Sequence, residues 1–129
     1  GIAQLEVTRM ARGRKNGLRI ELYGELGSIT FDLERLNELE LFDGTTGEGR
    51  QGFTRILVTE AGHPWVGAWW PDGHIIGWEH AFTHQCAQLL TDLRDGGESA
   101  PSFADGLAVQ RVLDAIERSA LAGGSPVRV

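Results

Sequence analysis

All four tryptophans of the chain, Trp65, Trp69, Trp70 and Trp78, fall in one stretch that also carries His63, Asp72, His74, Glu79 and His80. Flat indole faces suit sugar rings and subunit contacts alike, and imidazole and carboxylate groups hydrogen-bond hydroxyls. The competing reading is that the indoles are core, plugging the junction between a sheet and a helix. Large apolar area argues first for core or interface, and a single ring can serve both purposes.

Other constellations carry less. His80 and His84 stand four apart, a helical spacing that points two imidazoles the same way and can hold a metal. Glu79 precedes the first of them, so the arrangement is not His-Glu-x-x-His, and no third ligand is evident; no metal site is expected. Gly47-Glu-Gly-Arg-Gln-Gly52 has the letters of the dinucleotide fingerprint, which works only where a helix N-terminus follows to receive the pyrophosphate. Phe53 to Thr59 reads instead as a strand, so no cofactor is expected in this chain. Ser28, Ser99, Ser102, Ser119 and Ser125 lie in no nucleophile elbow. Cys86 sits on an apolar stripe, where a thiol is inert packing. Lys15, the only lysine, lies in a turn. No catalytic residue is assigned.

The elements that must hold these residues divide the chain in two. In the first half, apolar residues alternate with polar ones. Ala3, Leu5 and Val7 oppose Gln4, Glu6 and Thr8; Leu18, Ile20 and Leu22 oppose Arg19, Glu21 and Tyr23; Ile29, Phe31 and Leu33 oppose Ser28, Thr30 and Asp32; Leu39 and Leu41 continue. Period two marks strands with one buried face. Arg12–Gly17 and Gly24-Glu25 read as turns, giving an antiparallel meander. In the second half, Phe82, Cys86, Leu89, Leu90 and Leu93 form one helical stripe ending near Gly96-Gly97. Val109, Val112, Leu113, Ile116 and Ala120 form another, opened by a Ser102/Asp105 capping box and stopped by Gly123 and Gly124. Pro126–Val129 is expected to be a last short strand. The predicted fold is α+β, a mostly antiparallel sheet with two C-terminal helices packed on one face. The other sheet face, with Gln4, Glu6, Thr8, Arg19, Glu21 and Tyr23, is left to solvent or a second subunit.

The 129 residues make one domain, 41% hydrophobic and 23% charged, as in a folded globular protein. A net charge of -6 argues against nucleic-acid and anionic-membrane partners. The only basic cluster, Arg9, Arg12, Arg14 and Lys15, falls in a turn. One cysteine allows no intrachain disulfide and fits a reducing, cytoplasmic setting. No apolar run reaches the ~20 residues that span a bilayer. The chain opens directly in strand-like sequence, as though something preceded it.

Trp70-Pro-Asp-Gly-His-Ile-Ile-Gly-Trp-Glu-His-Ala-Phe82 resembles the segment leading into the long helix of the Gfo/Idh/MocA oxidoreductases, which include glucose–fructose oxidoreductase and inositol dehydrogenase. Pro101 to Ala120 resembles that family's closing helix, with Asp-Gly near its start and Ser119-Ala120 near its end. Val127-Arg-Val129 resembles its last strand, and Arg19 to Phe31 a family hairpin. The resemblance implies a two-part NAD(P)-dependent sugar or polyol (cyclitol) oxidoreductase. Its N-terminal Rossmann half, with the glycine fingerprint and a Glu-Lys-Pro lysine, is not in this chain. The chain resembles the later part of the second half, which supplies substrate contacts and homo-oligomer interfaces. It is therefore expected to be inactive alone. NAD or NADP belongs to the full-length parent, a sugar or polyol is the substrate, and the open sheet face is the self-association surface. Trp70 and His74, opening the segment between sheet and helix, are the residues expected to line the substrate pocket. The rival readings are a stand-alone carbohydrate- or protein-binding module and a small metal enzyme built on His80 and His84.

Overall fold

The computed structural model describes every residue, Gly1–Val129. Four strands form one sheet in chain order: β1 (Arg19–Tyr23), β2 (Gly27–Asp32), β3 (Glu38–Asp43) and β4 (Thr54–Leu57). Each pairs antiparallel with the next, as the alternation predicts. The register sets Ile20 against Phe31, Leu22 against Ile29, Ile29 against Leu41 and Leu39 against Ile56, so these apolar residues share one face. The opposite face is mostly polar and internally paired, with Phe42 opposite Ser28 and Leu57 opposite Glu38 as its apolar members. Tyr23 donates to the Glu21 carboxylate at 2.8 Å, Arg19 pairs with Glu21 at 2.9 Å, and Thr30 donates to Glu40 at 3.1 Å. With two helices, α1 (Trp78–Asp95) and α2 (Phe103–Leu121), the chain is α+β. Neither helix is long and apolar enough to cross a membrane.

Local chemistry explains the boundaries. The Gly24 amide donates to the Gly27 carbonyl at 2.8 Å, so the β1–β2 turn centres on Glu25-Leu26, one residue beyond the expected Gly24-Glu25. A Cβ on Gly27 would lie 2.7 Å from the Phe42 carbonyl oxygen, a close approach only glycine permits. β2 ends at Asp32 rather than continuing through Leu33. The Asp32 carboxylate accepts the Glu34 amide at 2.9 Å and caps a single 3-10 turn, Leu33–Arg35.

Two expected strands do not form. Residues 3–8 lie outside the sheet and Leu5 and Val7 are exposed. Alternation supplies a face but not a partner, and an unpaired strand leaves its backbone groups to water. Gln4, Glu6 and Thr8 therefore do not belong to the polar sheet face. Pro126–Val129 is not a strand either. Ser119 Oγ donates to the Ser125 carbonyl (2.8 Å) and the Arg118 guanidinium to the Arg128 carbonyl (3.1 Å), so α2 takes the carbonyls a ladder would need. The tail thereby lies beside α2, and an open cavity of about 270 Å3 is lined by Val112, Ala115, Ile116, Ser119, Val127 and Val129. This moves the buried side of α2. Its one buried residue is Ala115, outside the expected Val109/Val112/Leu113/Ile116/Ala120 stripe, of which Val109, Leu113 and Ile116 are about half exposed.

Helix ends follow their caps. Ser102 and Asp105 form the predicted capping box, with the Asp105 carboxylate accepting from the Ser102 amide at 2.7 Å. Gly96, Gly123 and Gly124 take positive φ where the helices stop. Ser102→Ala should destabilise the fold by about 1 kcal/mol, measurable by urea unfolding. Earlier in the chain, Glu34 accepts the Lys15 amide at 2.9 Å and pairs with Arg14 at 2.6 Å. The Lys15 amide first, then the Arg14 guanidinium, hold its carboxyl below the usual glutamate range. A depressed folded value means the tether is complete above the unfolded glutamate value and is lost as pH falls through the depressed one. The protection factor of the Lys15 amide should fall over that acidic window, and should be low at all pH values in Glu34→Ala.

The chain forms two compact units, Gly1–His80 and Ala81–Val129. Both leave apolar side chains uncovered: Ile20, Leu22 and Leu57 in the first, Leu90, Leu93 and Leu121 in the second. Accessible surface totals 11206 Å2, whereas two separate globules spanning these ranges would expose only about 8,000 Å2.

Candidate functional site

Beyond β4 the chain leaves the sheet for an aromatic loop that returns to α1. The loop is laced at its neck. The buried Thr59 accepts the Gly73 amide at 2.9 Å, and the Asp72 carboxylate accepts the Ala61 amide at 2.7 Å. Gly73 has φ +86°, the left-handed conformation this turn requires. Inside the neck, Val66, 1% exposed, anchors a 3-10 turn, Val66–Ala68. The Trp69 and Trp70 amides both donate to the Val66 carbonyl, at 2.9 and 3.3 Å.

With Val66 inward, the indoles stay at the surface: Trp65, Trp69, Trp70 and Trp78 are 39%, 36%, 46% and 53% exposed. They do not plug the core of this chain. Trp65 has φ +72°, a left-handed backbone that costs a bulky residue roughly 1–3 kcal/mol and persists where its surroundings hold it. Trp70 and His74, the two residues expected to line a pocket, flank the Pro71-Asp72-Gly73 turn, and both are exposed. His74 Nδ1 lies 2.9 Å from the Pro71 carbonyl oxygen. A carbonyl only accepts, so Nδ1 carries the proton, and Nε2 of the neutral ring is an acceptor suited to a hydroxyl.

At the far end of the loop, His80 Nδ1 accepts the Gly77 amide at 3.0 Å. Its ring meets Trp69 edge-on, centroids 4.4 Å apart. This imidazole therefore helps to shape the start of α1. His84 follows one turn later, and no group of three or more His, Cys, Asp or Glu side chains is placed to hold a metal. Gly47–Gly52 forms a turn that leads into β4 and not into a helix, so these glycines face no helix N-terminus. Cys86 is exposed on α1 rather than packed. Asn37 has no local sequence signal that marks its role. Its side-chain amide donates to the Ile76 carbonyl at 2.8 Å and accepts the Ile76 amide at 3.0 Å.

No family model matches the chain. Solved structures and a curated relative do. An oxidoreductase domain protein from Kribbella flavida is 52% identical with a TM-score of 0.86, over 89% of this chain and 31% of that one. A levoglucosan dehydrogenase solved in complex with NADH and levoglucosan is 34% identical with a TM-score of 0.82, over 90% of this chain and 32% of that one. The levoglucosan dehydrogenase of Pseudarthrobacter phenanthrenivorans is 35% identical over 120 residues, 92% of this chain. The chain matches oxidoreductases of the Gfo/Idh/MocA type. It spans about 30% of the length of the relatives it matches. The family resemblance carried by residues 70–82 and 101–120 is thus matched by relatives that cover nearly the whole chain.

Proposed function

We propose that this chain is the C-terminal substrate-binding and assembly part of an NAD(P)-dependent dehydrogenase of a sugar or polyol. The observation that carries the proposal is the match, over 90% of the chain, to a dehydrogenase holding NADH and levoglucosan. The exposed indoles beside a hydrogen-bonding imidazole fit that substrate class. Indole faces pack on the C–H face of a sugar ring, and His74 Nε2 accepts from a hydroxyl. The nicotinamide takes the hydride from the alcohol carbon when bound, and a base takes the hydroxyl proton. We assign both tasks to the rest of the polypeptide. Trp70 and His74 bind and orient the sugar.

The intact polypeptide carrying this segment should form NAD(P)H with saturation in a pyranose, anhydrosugar or cyclitol. A folded protein that oxidises no member of such a panel, with either nicotinamide, would sink the proposal. The polar sheet face of Arg19, Glu21, Tyr23, Thr30 and Glu40 is the proposed contact between copies. Light scattering on the intact polypeptide should give two or more copies, and Tyr23→Arg should shift it toward monomer. A monomer at every concentration would remove the assembly role.

A further inference from the structure

We propose that Asn37 is the positioning residue of the aromatic loop, a clasp that closes both of its ends at once; the sugar-binding consequence rests on the function proposed above. The Asn37 backbone carbonyl accepts the Val58 amide at 3.0 Å, where the chain leaves β4. Its side chain holds Ile76 in both directions, Nδ2 donating to the carbonyl at 2.8 Å and Oδ1 accepting the amide at 3.0 Å. One residue thus binds the entrance and the exit of the segment 58–76, which carries Trp65, Trp69, Trp70 and His74.

The chemistry demands a primary amide there. At neutral pH only Asn and Gln present a donor and an acceptor side by side in one plane, so they alone then copy a strand neighbour toward a peptide unit. A carboxylate would set two acceptors against the Ile76 carbonyl and amide, keeping one bond and making the other repulsive. The clasp is half-buried, where an unmatched carbonyl is not fully rescued by water. It also lies two residues from His74, so its loss is felt at a proposed sugar contact before it is felt in the sheet. The positive φ of Trp65 calls for such restraint, because strained backbone relaxes when its surroundings loosen.

The test uses the intact polypeptide, comparing Asn37→Ala and Asn37→Asp with wild type. In N37A the KM for the sugar should rise about 10-fold, while kcat and the KM for the nicotinamide stay within about twofold. In N37D the KM ratio to wild type should shrink as pH falls, because the protonated acid regains the donor to the Ile76 carbonyl. Exchange of the Ile76 amide, read without any activity, should accelerate about 10-fold in N37A. A folded N37A with sugar KM within twofold of wild type would overturn the positioning role. An equal change in kcat and in both KM values would do the same. If N37A does not fold, the N37D pH profile decides alone. If wild type oxidises no sugar, the dehydrogenase reading fails, and Ile76 exchange still decides whether Asn37 is the clasp.

Discussion

Trp70→Ala in the intact polypeptide is expected to raise the KM for its sugar about 10-fold with little change in kcat, the loss of roughly 1.4 kcal/mol of binding. Trp70 is 46% exposed, and the hydrogen bond from its backbone amide to the Val66 carbonyl fixes the backbone beneath it, so truncation removes contact area without opening a core. Trp70→Phe should recover most of the affinity, because a smaller flat face remains. His74→Ala should act in the same direction, and the double variant should approach 100-fold in kcat/KM if the two contacts are independent. A smaller loss would mean that the two side chains hold the same sugar ring cooperatively, the first truncation already weakening the other contact. Steady-state kinetics on the folded variants decides between these outcomes, and a Trp70→Ala enzyme with unchanged KM would remove this residue from the pocket wall.

The second large effect concerns the cofactor. The 129-residue chain alone should show no saturable NADH binding by calorimetry, whereas the intact polypeptide should bind it. The glycine run Gly47–Gly52 leads into β4, and pyrophosphate recognition of this kind needs a helix N-terminus directly after the glycines. Saturable binding to the segment alone would overturn the assignment of the cofactor to the rest of the polypeptide. The same preparation should also associate or bind hydrophobic dye, since side chains such as Leu22, Leu90 and Leu121 are uncovered in it.

The legible parts of the fold were the local ones. The strand pairing of residues 19–43 follows from alternation and tight turns. α2 follows from the Ser102/Asp105 box and its closing glycines. Residues 3–8 alternate as well as β1 does, yet strand formation needs a neighbour, which pattern alone does not supply. The tail departed from expectation because Arg118 and Ser119 bind its carbonyls, and that contact also buries Ala115. In the aromatic loop, Trp70 and His74 are proposed as sugar contacts on residue type and position, while their exposed setting was not legible in the sequence. The indoles look like core by area, but Val66 occupies the buried position and leaves them outside. Asn37 acts on a residue 39 positions away, with no periodicity or motif to mark the pair.

The aromatic loop is proposed as the place where this chain meets substrate. Hydrogen exchange on the intact polypeptide, saturated with NADH and then titrated with its sugar, tests it most directly. Amides between Ala61 and Gly77 should slow on sugar addition, with the largest change around Trp70 and His74. Protection confined to other segments, with this loop exchanging as before, would contradict it.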